Sequence, residues 1–262
     1  MKRIIILAVL ACLPSLIFAE GGSEGWSIGL PITGNGNLIT SEKPVSSFDK
    51  IRVAGIAEVN YHASPDYRAV VTVDSNLDEY VAVYTENNVL NIGTKNGRYY
   101  RFTKYMVDVY APSISGLVMS GSVRFEGMNT ITSPGFDLEI SGAGKLKGDF
   151  ECDQFNARIS GSGEMDSHVV SSGFKAVVAG SCAINLAGSS SDLDISISGA
   201  GNFMGSEFKT NNVIASISGA GEMHIWALDT LKANIAGAGK VKYRGNPKID
   251  YHASGAGRLE SE

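Results

Sequence analysis

The stretch Glu139–Gly148, "EISGAGKLKG", decides how the rest of the chain is read. It places Gly142 and Gly144 around one alanine, behind an apolar run and beside Lys145 and Lys147, as a phosphate-binding loop would. The motif recurs, however. "SGAG" begins at Ser141, Ser198, Ser218 and Ser254; the variants "SGSV", "SGSG", "AGSC" and "AGAG" begin at Ser120, Ser160, Ala179 and Ala236. Successive starts lie 21, 19, 19, 19, 20, 18 and 18 residues apart. A nearly constant period of this length marks a solenoid, in which one repeat is one supersecondary unit.

Within a repeat the hydrophobic period is two. From Phe136 the alternate residues are Phe136, Leu138, Ile140, Gly142, Gly144 and Leu146; the other parity reads Asp137, Glu139, Ser141, Ala143 and Lys145. This is strand alternation. Both glycines of each copy fall on the apolar parity: Gly142 and Gly144, Gly161 and Gly163, Gly199 and Gly201, Gly219 and Gly221, Gly237 and Gly239, Gly255 and Gly257. They are therefore expected to face inward, at a sharp bend or a narrow waist that a Cβ would obstruct. The expected fold is all-β: a parallel β-helix or β-solenoid of ~19-residue SGAG-type repeats.

Upstream, "FDKIRVAGIAEVNYHA" alternates in the same way, and "AGIA" at Ala54 reads as an early, degenerate copy. Runs rich in Val, Tyr and Ile follow, bounded by Asn, Asp, Gly or Pro. "ENN" at Glu86–Asn88 predicts a hairpin turn, and "NLDEYV" at Asn76–Val81 a short helical turn. The division expected is a leader over 1–19, a polar extended segment over 20–44, a β-rich part over 45–115 and the repeats over 116–262.

Lys2 and Arg3 precede an apolar run broken by Pro14, the pattern of an export signal with cleavage after Ala19. "VLAC" ending at Cys12 offers a second route, a lipoprotein anchored through that cysteine. Either route sends the protein to the periplasm, the outer surface or the medium, with no transmembrane span in the mature chain. Loss of two cations and no acid with the leader takes the net charge from −5 to −7. That balance disfavours nucleic acid as a partner.

The order "FDKIRVAGIAEVNY", "VDSNLDEYVAVYTENNVLNIGT", "VYAPSISGLVMSGSVRF" and the Ser-Gly-Ala-Gly ladder resembles the head GIN domain family, DUF2807, described as an autotransporter adhesin. The resemblance covers residues 45–262. It implies an envelope or secreted β-solenoid and carries no catalytic residue set.

The chemistry candidates are few. No helix pattern follows Gly144, and "GKLK" lacks the Ser or Thr of a P-loop, so no nucleotide is expected. A calcium-binding solenoid would need Asp where Leu146, Met165, Phe203, Met223, Val241 and Leu259 stand. No metal and no cofactor are expected. Cys152 and Cys182 lie about two turns apart, roughly 10 Å along a stack, so they are expected as buried free thiols. The four histidines form no ligand pair and are expected on the surface. The column Lys145, Glu164, Asn202, Glu222, Lys240 and Arg258 mixes signs, as a solvated face does.

One stretch is a candidate binding patch: Arg98, Arg101 and Lys104 interleave with Tyr99, Tyr100, Phe102 and Tyr105. Aromatic faces with cations suit a sugar or an anionic envelope polymer; the same aromatics suit a hairpin that closes one end of the solenoid. The expected function is a non-enzymatic secreted or cell-envelope binding scaffold, adhesin-like, with a surface glycan or an envelope protein as partner. The alternatives are a carbohydrate-active enzyme on a β-helix and a purely structural, oligomerising envelope protein. The sequence leaves the oligomeric state open.

Overall fold

The computed structural model describes residues 31–95 and 99–262. The leader, the Cys12 route and Arg98 lie outside the described residues. The strands run in chain order as β1 (Ile32–Thr33), β2 (Leu38–Lys43), β3 (Lys50–Ala63), β4 (Arg68–Asp74), β5 (Val81–Glu86), β6 (Val89–Thr94), β7 (Tyr100–Arg101) and β8 (Tyr105–Ala111). The repeats supply β9 (Gly116–Gly127), β10 (Ile131–Gly142), β11 (Lys145–Gly161), β12 (Glu164–Gly180), β13 (Ala183–Gly199), β14 (Asn202–Gly219), β15 (Glu222–Gly237), β16 (Lys240–Arg244), β17 (Lys248–Gly255) and β18 (Arg258–Ser261).

From β9 onward all pairing is parallel and displaced by one repeat, which is the β-solenoid expected from the spacing. Ile140 lies beside Ile159, Ile159 beside Val178, Val178 beside Ile197, and so on to Ile235, all buried. Phe136, Phe155 and Phe174 stack in a second internal ladder, with ring centroids 5.3 and 5.0 Å apart. No single turn could bury these side chains; the turn above and the turn below do it. A polar ladder crosses the turns on the outside, where Thr230 donates to Asn212 and Asn212 to Asp192.

The structure separates the two glycines of each copy. The first does not face inward as expected. Gly142, Gly161, Gly199, Gly219, Gly237 and Gly255 sit at an outer corner with φ between +91° and +131°, and they are exposed or half-exposed. Corners stack backbone on backbone: a Cβ on Gly199 would lie 2.5 Å from the Gly180 carbonyl oxygen. The residue after each corner then donates its N–H one turn back, as Ala200 does to Gly180 at 3.1 Å. The column starts at Gly55, which pairs with Gly121, so "AGIA" is its lowest copy.

The second glycine does face inward. A Cβ on Gly163 would sit 2.5 Å from Cγ2 of Ile159, four residues earlier. The same pairing holds for Gly144 with Ile140 and Gly201 with Ile197, whereas at Gly221 and Gly239 the isoleucine of the previous turn, Ile197 and Ile217, lies nearer. Where Cys182 replaces the glycine, Val178 replaces the isoleucine. In this turn the two sites share one packing volume, the larger Cys182 going with the smaller Val178.

The N-terminal part closes the other end. On one side β3 pairs with β6 through Lys50–Val53 and with β8 through Glu58–Ala63, and on the other side Lys50–Tyr61 pair with β9. Strands β2, β4 and β8 form an antiparallel run beside it. The β5–β6 hairpin turns at Asn87 and Asn88, both left-handed at φ 49° and 62°, the type I′ geometry that Asn tolerates. Asp78–Tyr80 form a single 3₁₀ turn.

Gly199→Val should lose roughly 3 kcal/mol or more, because positive φ and the Gly180 carbonyl both oppose a side chain; chemical denaturation measures it. Gly163→Cys should lose about 1–3 kcal/mol, and Cys182→Gly should also destabilise, since beside Val178 it leaves the shared volume unfilled; chemical denaturation measures both.

Candidate functional site

One of the concavities on this scaffold is organised by a buried carboxylate. Asp74, at the end of β4, is fully buried. It accepts N–H bonds from Gly36 and Thr103, each at 2.8 Å. Gly34 packs so closely on it that a Cβ there would fall 2.3 Å from the carboxyl carbon. Burial alone would raise the Asp74 pKa, but the donors from Thr103, Gly36 and Lys104 outweigh it and hold the group below the usual carboxylate range. Asp74 thus clasps residues 34–36 and the 102–104 loop together, and so fixes where Phe102 and Lys104 stand.

The clasp divides the candidate aromatic patch. Tyr105 is buried and donates to the Gly93 carbonyl at 2.8 Å. Phe102 packs on it at 5.0 Å, Tyr100 on Phe102 at 5.9 Å, and Tyr80 on Tyr100 at 5.3 Å. These rings line up against the core at the N-terminal end. Tyr99, at 72% exposure, and Arg101 stand in solvent. Phe102, Lys104 and Tyr105 border a pocket of about 310 Å³, completed by Ile56, Arg124 and Lys145 from the first turns of the stack.

A longer groove, of about 620 Å³, runs along the stack. Its walls are two outward rows. One is Glu126, Lys147, Asp166, Asn185 and Met204; the other holds Asp149, His168, Ala187 and Glu207. Five strands contribute, so the groove is about 20 Å long. Gly148, Ser167 and Leu186 underlie it. Ser167 Oγ is the one buried side-chain polar atom among the described residues without a hydrogen-bond partner. Exposed Met128 and Met204 lie towards its two ends. At the far end β14 has one extra residue between Met204 and Glu207, a bulge that re-aims the wall. Lys147 pairs with Glu126 at 3.4 Å, while Asp149, Asp166 and Glu207 form no ion pair among the described residues.

Sequence spacing singled out neither wall. Adjacent residues of each row are about 19 positions apart, and alternation shows only that they point outward. The other candidates fall as follows. Cys152 and Cys182 are buried free thiols whose pKa values burial pushes up to about 11, which makes them unreactive. His168 and His252 are exposed. His62 and His224 are instead half-buried: His62 meets Asp108 and stacks on Tyr110, and His224 sits between Glu222 and Glu262. Leu146, Met165, Phe203, Met223 and Val241 are core residues. In the mixed column, Lys145 pairs with Glu164 across turns.

Among solved structures, the fold is similar to a "putative adhesin" from Parabacteroides distasonis, at 26% identity and a TM-score of 0.82 over 88% of this chain and 99% of that one. A "putative lipid binding protein" from the same species matches at 23% identity and a TM-score of 0.83, covering 89% and 100%. A "putative adhesin" from Parabacteroides merdae matches at 24% and 0.79, covering 88% and 98%. No curated protein matches the chain. The family model described as "Putative auto-transporter adhesin, head GIN domain", DUF2807, matches residues 47–247.

Because the Asp74 pKa is depressed by folding, its contribution to stability is present above the unfolded value near 3.8 and is lost as pH falls through the folded value. Asp74→Asn should therefore lower the melting temperature at neutral pH and flatten the acid limb of a melting-temperature profile between about pH 2 and 6.

Proposed function

This chain belongs to the DUF2807 head GIN domain family, and from that premise we propose that it is an exported, non-enzymatic binding scaffold of the cell envelope, which holds an extended surface glycan or envelope polymer along its stack. The observation that carries this reading is the five-turn groove. It follows the solenoid axis and sets a run of hydrogen-bonding side chains between the exposed thioethers of Met128 and Met204. Rows of side chains about 4.8 Å apart suit a linear ligand whose units also repeat along one direction. Its volume is within the range of ligand-binding clefts.

The division of labour proposed is a leader over 1–19, a lead-in over 20–44, an N-terminal part over 45–115 and the repeats over 116–262. The lead-in contributes strands Ile32–Thr33 and Leu38–Lys43. No described helix is long and apolar enough to cross a membrane. One observation favours a second reading, that of a carbohydrate-active enzyme: Asp149, Asp166 and Glu207 open into one groove, and glycoside hydrolysis uses paired carboxylates.

A glycan array followed by calorimetry on the hits tests both readings. A bound polysaccharide should be retained uncut, and the double variant Met128→Ala/Met204→Ala should weaken it about tenfold, or ~1.4 kcal/mol. Release of shortened product would replace the scaffold by the enzyme. Binding that ignores both methionines would move the site off the groove.

A further inference from the structure

We propose that the smaller pocket, at the foot of the stack, takes the carboxylate of an acidic sugar; this rests on the glycan-scaffold reading and names a ligand class for a second site on it. The pocket joins two parts of the chain that the sequence keeps apart. Strands β3, β9 and β11 bring Glu58, Arg124 and Lys145 into one row, with Arg124 in register between the other two. The loop clasped by Asp74 lays Phe102 and Lys104 against that row. Three cations thus border the pocket against one acid, Glu58. Lys145 is engaged by Glu164, but Arg124 and Lys104 form no ion pair among the described residues, so their charge is open to a ligand.

The remaining wall is apolar. Ile56 is 59% exposed, more than any other large apolar side chain of the described residues except Tyr99. An isoleucine held this open beside a half-buried phenylalanine makes a hydrophobic ledge next to a guanidinium. A sugar acid presents the matching pair of surfaces: a C–H face for Ile56 and Phe102, and a carboxylate for Arg124, whose planar donors fit it. Ser122, also on the wall, adds a neutral hydrogen-bonding group for a ring hydroxyl. A volume of about 310 Å³ is at the lower end of ligand pockets and suits one or two sugar rings.

The test is calorimetry of the purified protein with an oligogalacturonate and with a neutral oligosaccharide of equal length, at low and high salt. The acidic oligomer should bind at least tenfold tighter, and the preference should shrink with salt. Arg124→Ala and Lys104→Ala should each remove about tenfold of it, and Arg124→Lys should restore part. Arg124 is exposed, so unchanged melting of Arg124→Ala confirms that the variant is folded. Equal binding of both oligomers, or an acid preference that survives Arg124→Ala, overturns the proposal while leaving the scaffold reading in place. Arg124-dependent capture of anionic phospholipid vesicles in preference to oligogalacturonate also overturns it. Failure of every glycan at every site would bring down the scaffold reading and this proposal together.

Discussion

The contact on which the rest of the molecule depends is that of one peptide backbone on another at the outer corner of each turn. Gly55, Gly121, Gly142 and their successors up to Gly255 stack in a column, each in the left-handed region. From Gly121 upward, only a residue without Cβ combines that φ with a carbonyl oxygen lying 2.4–2.8 Å from where the Cβ would be. Because the corners are in contact, the strands on either side stay in register from turn to turn. Registered strands place like residues over like, which is what makes the isoleucine and phenylalanine ladders continuous.

A second constraint operates just inside the corner. The inward glycine leaves room for the methyl of an isoleucine, four residues earlier at Gly144 and Gly163 and one turn back at Gly239 and Gly257. Chain geometry fixes the shared volume, and the sequence divides it differently at Val178 and Cys182. The cysteine is therefore a packing residue, and burial keeps its thiol protonated. The outward residues have no such duty. They are free to vary from rung to rung, and this freedom gives the groove its uneven mixture of carboxylates, Lys147, His168 and methionines.

The N-terminal part solves a different problem, since a solenoid core is open at its ends. Tyr80, Tyr100, Phe102 and Tyr105 range against the first turns, and Asp74 ties their loop to residues 34–36. The same clasp sets Lys104 beside Arg124. A device that seals the core thus also builds the smaller pocket, which is why part of an aromatic, cationic stretch serves packing and part borders a cavity.

The sequence by itself determined the repeat, the strand parity, the position of the corners, the Asn87–Asn88 turn and the burial of both thiols. Each is written in a short local pattern or in its recurrence along the chain, where a period of two or a glycine at a fixed offset can be read without knowing the packing. Tertiary structure alone decided which glycine of each pair faces the core, since the parity is the same for both and only the bend between them tells them apart. It also decided the groove and the pocket. The groove walls are residues about one repeat apart, displaced by the bulge at Gly205–Ser206. The pocket joins residues 56, 104, 124 and 145 through the direct pairing of β11 with β9. Neighbours of that kind are set by register between strands, and register depends on the packing of the whole stack.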